Sequence, residues 1–399
     1  MRRVANPTAV IALCVALGAA ACSSGSSSTA GAKRTIQVDA KTSGFVAVVN
    51  DFFPLNLEAR PGDTIHFVAP HISEPHTITL GTLVNAAVQK LQQLGPNATV
   101  AQQLTTTELQ QLPDVLPHRV SKKGAPSVNH SAAEPCFLDS GTPPTSETGG
   151  APACPKRKQP DFDQSKSFYN SGALIHDGDS FTMRLSPKLR PGSYGVIDLI
   201  HPTVMRGTIT VGPPGAKPPS PAAQQQAAGQ QKDEVSNSLQ PTVQLLRGKT
   251  GTTIGAGLSD PTINDAHVAE FGPASTSVPV GGTLTWSFTG TNTVSFNAPA
   301  GAQGLLRRAS NGTVELNLAA WEAKGMTVPP DVLTYPPPDN APPVTIDGGK
   351  WDGTGFLSTG TLNAVSPGAV SVTLTFTKPG TYHYACLVHT GMAGTVVVR

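Results

Sequence analysis

The run from Pro379 to Met392, PGTYHYACLVHTGM, limits what this chain can be more than any other stretch. It places a thiol (Cys386), an imidazole (His389) and a thioether (Met392) within seven residues, with the spacing C-x2-H-x2-M. Alternating apolar and polar residues predict a strand over Val372–Phe376, a Pro-Gly turn, a strand over Thr381–Cys386 and another over Thr395–Val398. A short loop fixed at both ends by strands holds its side chains at one point. His383 lies an odd number of residues before Cys386, so alternation turns it to the opposite face.

Soft sulfur ligands favour Cu(I) and imidazole serves both oxidation states, so this trio suits copper. The whole run also resembles the ligand loop of the cupredoxins, P-G-x-Y-x-Y-x-C-x2-H-x(2–4)-M followed by a G-T-V-x-V strand, and its His–Met gap is most like that of amicyanin. The resemblance implies a β-sandwich carrying a blue copper site of two histidines, one cysteine and a weak axial methionine.

The pattern recurs. Pro191-Gly192-Ser193-Tyr194, His201, Met205, Gly207 and Thr208 repeat it in order, with Asp198 where Cys386 stands and a His–Met gap one residue longer. The strand expected to deliver the first histidine is Glu74-Pro75-His76-Thr77-Ile78-Thr79-Leu80. Its counterpart is Thr291-Asn292-Thr293-Val294-Ser295-Phe296, with Asn292 at the histidine position. An internal repeat of this length indicates tandem domains. The expected fold is all-β: two Greek-key cupredoxin-like β-sandwiches in tandem, each with a loop and helix insertion.

Carried over residue by residue, the resemblance implies Cys386, His389 and Met392 as copper ligands in the second domain. Asn292 is a poor ligand for Cu(I) and a modest one for Cu(II); His267, on an upstream strand, is an alternative imidazole. In the first domain it implies His76, His201 and Met205, with Asp198 as a hard oxygen donor suited to Cu(II) or Zn(II) without a blue thiolate band. His71 is near in sequence but reads as a loop histidine. The alternative for the first domain is a sandwich without metal, packed at its top by His201 and Met205. A composite site joining Cys386 to a first-domain histidine requires the two ligand ends to meet, and nothing in the sequence brings them together. Tyr194, Trp286, Phe296, Tyr382 and Tyr384 are expected in the cores.

The expected organisation follows the chain. Residues 1–21 form a signal segment, with Arg2 and Arg3 before an apolar run too short for a confident membrane span. Ala19-Ala20-Ala21-Cys22 resembles a bacterial lipoprotein signal, which makes Cys22 the lipidated residue; an ordinary cleaved signal peptide is the alternative. Residues 22–34 read as a Ser/Gly tether, 35–212 as domain one with an insertion over about 83–166, 213–242 as a Pro/Ala/Gln linker, and 243–399 as domain two with an insertion over about 297–350. Helices are expected over Leu83–Leu94, Thr107–Leu116 and Val314–Lys324. The first insertion follows the His76 strand and is placed to cover the metal end of domain one.

The chain has five cysteines. Cys14 leaves with the signal and Cys22 takes the lipid. Cys136 and Cys154 share a Pro/Gly/Ser-rich segment and read as a disulfide in an oxidising compartment. Cys386 remains alone, and a metal explains an unpaired thiol in an exported protein. With 28 basic and 26 acidic residues there is no charge excess to attract nucleic acid. The 40 glycines and 37 prolines favour turn-rich β structure.

The expected function is copper binding by a protein exported to the outer face of the cytoplasmic membrane, with electron transfer as the role the resemblance implies. The expected partners are an unidentified redox or copper-exchange protein and, through the lipid, the membrane. A Cu(I) carrier or store and a metal-free interaction module are the alternatives. An enzyme is not expected: the histidine next to the copper cysteine in copper nitrite reductases and laccase-like oxidases is absent, since Ala385 and Leu387 flank Cys386.

Overall fold

The computed structural model describes residues 31–95, 97–116, 128–134, 160–310, 313–329, 342–364 and 369–399. The expected signal segment, Cys22 as the expected lipidation site and the expected Cys136–Cys154 disulfide lie outside them. The alternating runs form two β-sandwiches with matching strand pairings. The first stacks a four-stranded sheet, in the order Phe52–Phe53, Lys33–Val38, Thr64–Val68 and Ser180–Arg184, on a five-stranded one. The latter runs Asn56–Ala59, Arg206–Val211, Gly192–Ile197, His76–Leu80 and Tyr169–Leu174. In the second sandwich a five-stranded sheet orders Ser275–Val278, Ala393–Val398, Gly380–Ala385, Ser295–Phe296 and Leu357–Ser358. Its opposing sheet contains Val344–Trp351, Val370–Phe376, Thr283–Phe288, Thr253–Leu258 and Ala266–Gly272.

Both sandwiches pair their opening strand in parallel with the strand after the Pro-Gly or Gly-Gly turn, as in Lys33↔Thr64 and Thr253↔Thr285. Both pair the strands on either side of the ligand loop antiparallel, as in Arg206↔Ile197 and Ala385↔Ala393. Period-2 burial along these strands builds two cores. One holds Phe52, Phe67 and Phe181; the other holds Trp286, Phe296, Phe376 and Tyr384. Each fully buried large apolar side chain contributes roughly 1.5–3 kcal/mol relative to exposure. Tyr194 is buried as expected, and Tyr382 packs partly buried on its core.

Three features depart from the sequence reading, and each binds the domains together. The strand Ala47–Val49, expected in domain one, pairs antiparallel with Ala266–Val268 and becomes the sixth strand of a domain-two sheet. The segment expected as a linker is helical from Pro221 to Arg247. Ala and Gln favour the helix, Ser220 caps it by accepting from the Ala223 N–H at 3.2 Å, and Pro221 occupies its first turn. Ala228, Val235, Leu239, Val243 and Leu246 form its apolar face, which packs on Phe45, Val49 and Phe53 on one side and on Leu258 and Val268 on the other. The buried Arg34 anchors its start: Nε lies 2.6 Å from Asp63 Oδ2, and Nη1 donates to Gln224 Oε1 at 2.7 Å.

The third departure lies in the insertions. The helix Thr82–Leu94 forms as predicted, whereas the one expected over Thr107–Leu116 is a single turn, Thr107–Gln110, preceded by a short helix, Val100–Leu104, that was not expected. Val314–Leu316 is a strand of a small hairpin, and only Leu318–Trp321 is helical, because Val314 and Leu316 must face the same buried side. That hairpin packs on the first insertion in one core with Val84, Leu91, Ile197, Leu199 and Ile200. The first insertion therefore does cover the loop end of domain one. No helix among the described residues is long and apolar enough to cross a membrane.

Candidate metal centre

Both candidate sites lie where the strand entering the loop ends, at Ile197 and Ala385; His76 opens the strand His76–Leu80, whereas Asn292 closes the strand Gly290–Asn292, ahead of Ser295–Phe296. Four hydrogen bonds have exact counterparts in the two domains and fix the equivalence of Asp198 with Cys386 and of His76 with Asn292. Each loop is closed by its first candidate ligand: Asp198 N–H donates to Met205 O at 3.0 Å, and Cys386 N–H to Met392 O at 2.9 Å. The neighbouring strand donates Thr77 N–H to Asp198 Oδ1 at 2.8 Å and Thr293 N–H to Cys386 Sγ at 3.4 Å. Threonine hydroxyls accept from Leu199 N–H at 2.8 Å and Leu387 N–H at 2.6 Å. Within the loops, Ile200 N–H reaches Asp198 Oδ1 at 3.0 Å and Val388 N–H reaches Cys386 Sγ at 3.4 Å.

In domain two, Cys386, Asn292, His389 and Met392 are all buried. Cys386 Sγ lies 3.7 Å from both Asn292 Oδ1 and His389 Nδ1, and those two atoms are 3.0 Å apart. The Asn292 amide N–H groups are directed away, to Ala256 O at 3.2 Å and Thr289 O at 2.7 Å, which leaves its oxygen facing the thiol. A thiolate and an imidazole sharing one metal at about 2.3 and 2.0 Å, with about 120° between the bonds, stand ~3.7 Å apart. The sulfur–nitrogen separation and the two backbone N–H donors on Sγ fit a copper ion held by a thiolate. Cys386 is the only cysteine among the described residues and is free. Burial opposes its ionisation, yet the His389 charge and hydrogen bonding by His389 and the Thr293 N–H bring its pKa below the usual thiol value.

His267 is not one of the groups that meet at Cys386. Its ring stands edge-on to that of His389, with centroids 5.9 Å apart, and its Nε2 is buried without a hydrogen-bond partner. Burial and the neighbouring His389 charge lower its pKa to about 4, so it is neutral. Gly290 leaves room for it: a Cβ there would lie 2.9 Å from His267 Nε2. His383 faces outward, as alternation predicts, with Nδ1 3.1 Å from Thr395 Oγ1. His71 sits 3.7 Å from Asp177, in a loop.

In domain one, His76, Asp198 and His201 converge closely enough to hold one metal ion. Asp198 Oδ2 lies 3.0 Å from His76 Nδ1 and 2.8 Å from His201 Nδ1. The far nitrogens meet two more carboxylates: His76 Nε2 is 3.5 Å from Asp39 Oδ2, and His201 Nε2 is 3.0 Å from Glu74 Oε2. Burial would raise the Asp198 pKa, but the two imidazoles hold it well below the carboxylate range. Burial would lower His201, but Asp198 and Glu74 push it up to about 10. His76 is raised in the same way by Asp198 and Asp39. This donor set also fits a divalent ion, since histidines whose second nitrogen faces a carboxylate are a common metal-site arrangement. As it stands, protons satisfy it: three carboxylates alternate with imidazoles. Met205 is fully buried in the domain-one core.

The two ligand ends do meet, contrary to the sequence expectation. Glu74 is the contact: while Oε2 binds His201, Oε1 lies 3.5 Å from Nε2 of His389 in the other sandwich. Burial would raise the Glu74 carboxyl, but His201 and His389 hold it well below its usual range. Burial would lower His389, but Cys386 and Glu74 push it up to about 10. Sequence reasoning missed Glu74 and Asp39 as site residues. Glu74 stands two residues before His76, but no spacing marks a residue whose partner comes from another domain.

No protein-family model matches this chain, and no curated protein is similar to it. Among solved structures, the chain is similar to dithionite-reduced auracyanin from Roseiflexus castenholzii, at 14% identity over 46% of this chain and 99% of that one, with a TM-score of 0.22. It is similar to oxidized plastocyanin from Dryopteris crassirhizoma at 19% identity, over 37% of this chain and 99% of that one, with a TM-score of 0.18. A Cu-containing nitrite reductase from Thermus scotoductus is similar over 92% of this chain and 68% of its own length, at 13% identity and a TM-score of 0.20. These likenesses are distant and carry no argument about the site, whose chemistry rests on its own side chains in two β-sandwiches with matching strand pairings that meet at Glu74.

Proposed function

We propose that this chain is an exported copper-binding protein that holds copper in its second sandwich through Cys386, His389 and Met392, with the Asn292 carbonyl oxygen in place of a second imidazole. The observation that carries this reading is the Cys386 sulfur itself: buried, 3.7 Å from both His389 Nδ1 and Asn292 Oδ1, and served by two backbone N–H groups. Copper there supplies one-electron chemistry. The chain's residues hold the thiolate, orient the imidazole and keep water away. Two rigid strands and a loop closed by Cys386 N–H on Met392 O limit rearrangement between oxidation states, which supports electron transfer.

A Cu(I) carrier is the second reading. A soft Cys–His–Met set suits Cu(I). Deep burial beneath Glu74 of the other sandwich favours a retained ion over rapid hand-over. We read the protein as a binding protein rather than an enzyme, because Ala385 and Leu387 flank Cys386 where a second-site histidine would be needed. In domain one, His76, Asp198, His201 and Met205 form a second candidate site. Lipid anchoring at Cys22, the Cys136–Cys154 disulfide and an exchange or redox partner belong to the same proposal.

The test is Cu(II) titration of the soluble mature chain followed by visible absorption and paramagnetic resonance, with a Cu(I) competition assay beside it. A thiolate-to-copper band lost in Cys386→Ser is the expected result. Copper uptake unchanged by Cys386→Ser and abolished by His76→Ala would move the metal to domain one and refute the assignment.

A further inference from the structure

The loop that carries His389 is not the only thing holding that ring. Glu74 is contributed by the other sandwich, is buried, and has one carboxylate oxygen on an imidazole of each domain. Its Oε2 is held by His201 Nε2 at 3.0 Å, and Asn50 Nδ2 approaches at 3.5 Å, so the carboxylate is itself anchored in domain one. Its Oε1 faces His389 Nε2 at 3.5 Å, an ion-pair contact longer than a hydrogen bond. His389 Nδ1 faces the opposite way, toward Cys386 and Asn292. A carboxylate on the far nitrogen of a metal-binding histidine fixes the ring orientation and keeps the proton on that nitrogen.

We propose that Glu74 is a positioning residue for copper bound in domain two: it holds the Nε2–H side of His389 from across the domain interface, so that Nδ1 is kept turned to the Cys386 sulfur. This rests on the copper reading above. Domain one is thereby part of the copper site without contributing a ligand. His201 acts through Glu74, and the shared sheet edge Ala47–Val49 with Ala266–Val268 keeps the two halves in register. The Glu74 charge also favours Cu(II) over Cu(I), because a nearby anion stabilises the more positive ion.

The experiment compares the full mature chain with Glu74→Gln and Glu74→Ala. Nitrogen-15 NMR of the His389 ring in the copper-free protein reads the positioning directly. The Cu(I) dissociation constant and the reduction potential read its consequence. Glu74→Ala is expected to change the His389 ring nitrogen shifts, to weaken copper binding about 10- to 100-fold, and to favour Cu(I) over Cu(II) by up to about tenfold, equivalent to about +59 mV. Glu74→Gln keeps an oxygen acceptor of the same shape and should fall between wild type and Ala, which separates loss of contact from loss of fold. A wild-type chain that binds copper, with folded Glu74→Ala and Glu74→Gln variants unchanged in ring shifts, affinity and potential, overturns this proposal alone. A wild-type chain that takes up no copper overturns the copper reading and this proposal together.

Discussion

Asp198→Asn is the substitution whose consequences the structure lets us work out most fully. Asp198 is fully buried and accepts from five groups: Thr77 N–H, Thr77 O–H, Ile200 N–H, and Nδ1 of His76 and of His201. Asparagine keeps Oδ1 for the first three and loses the charge that balances the two imidazoles. Removing one partner of a buried ion pair costs about 3–5 kcal/mol, and the retained hydrogen bonds place this variant near 3 kcal/mol in that range. In a domain of 150–250 residues that lowers Tm by roughly 6–12 °C.

The pH dependence has a definite sign. His201 has its folded pKa raised to about 10. A raised imidazole contributes stability that is complete below its unfolded value, about 6.5, and is lost as pH rises through about 10. The difference between wild type and Asp198→Asn should therefore be largest near pH 6 and shrink by pH 10. Urea unfolding of both proteins with a chelator present, at pH 6, 8 and 10, measures it. A difference under about 1 kcal/mol at pH 6, or one that stays constant to pH 10, would refute the charge-balanced triad.

Two other substitutions test the frame and the ligand position. Asn292→His should strengthen the thiolate-to-copper absorption by restoring a second imidazole, at a cost of about 1–3 kcal/mol from overpacking a fully buried site; unchanged spectra with an intact fold would show that position 292 does not face the metal. Arg34→Ala should destabilise the chain by about 3–5 kcal/mol, because it leaves the Asp63 carboxylate buried without its guanidinium partner and releases Gln224, at the start of the interdomain helix, from its anchor in domain one. Thermal unfolding and limited proteolysis of the 213–252 stretch read this loss, and a Tm within about 1 °C of wild type would show the anchor to be dispensable.

The sequence determined what depends on spacing along one strand or one loop. Cys386, His389 and Met392 stand at intervals that a loop between two strands must bring together. Asp198 and Asn292 were identified by repeat alignment as the occupants of the cysteine and histidine positions; the matching bonds of Thr77 N–H to Asp198 and of Thr293 N–H to Cys386 agree with that alignment, and Asn292 Oδ1 faces Cys386 and His389 as His76 Nδ1 faces Asp198. His383 was turned outward by alternation alone. The helical interdomain segment was not legible: its Pro, Ala and Gln content reads as a linker, and Ala and Gln settle into a helix once Arg34, Phe45 and Val268 provide surfaces for it to pack on.

Only the tertiary structure decided how the halves meet. Ala47–Val49 reads as a domain-one strand because a continuous apolar run suits either sheet; the edge of Ala266–Gly272 decides its partner. Glu74 carries no motif, and Asp39 is one acidic residue after a strand. Their roles come from buried charge, which must find an opposite charge wherever the packed chain offers one. For Glu74 that charge is shared between His201 and His389, residues that local sequence spacing does not relate and that docking of the two sandwiches brings to a single carboxylate.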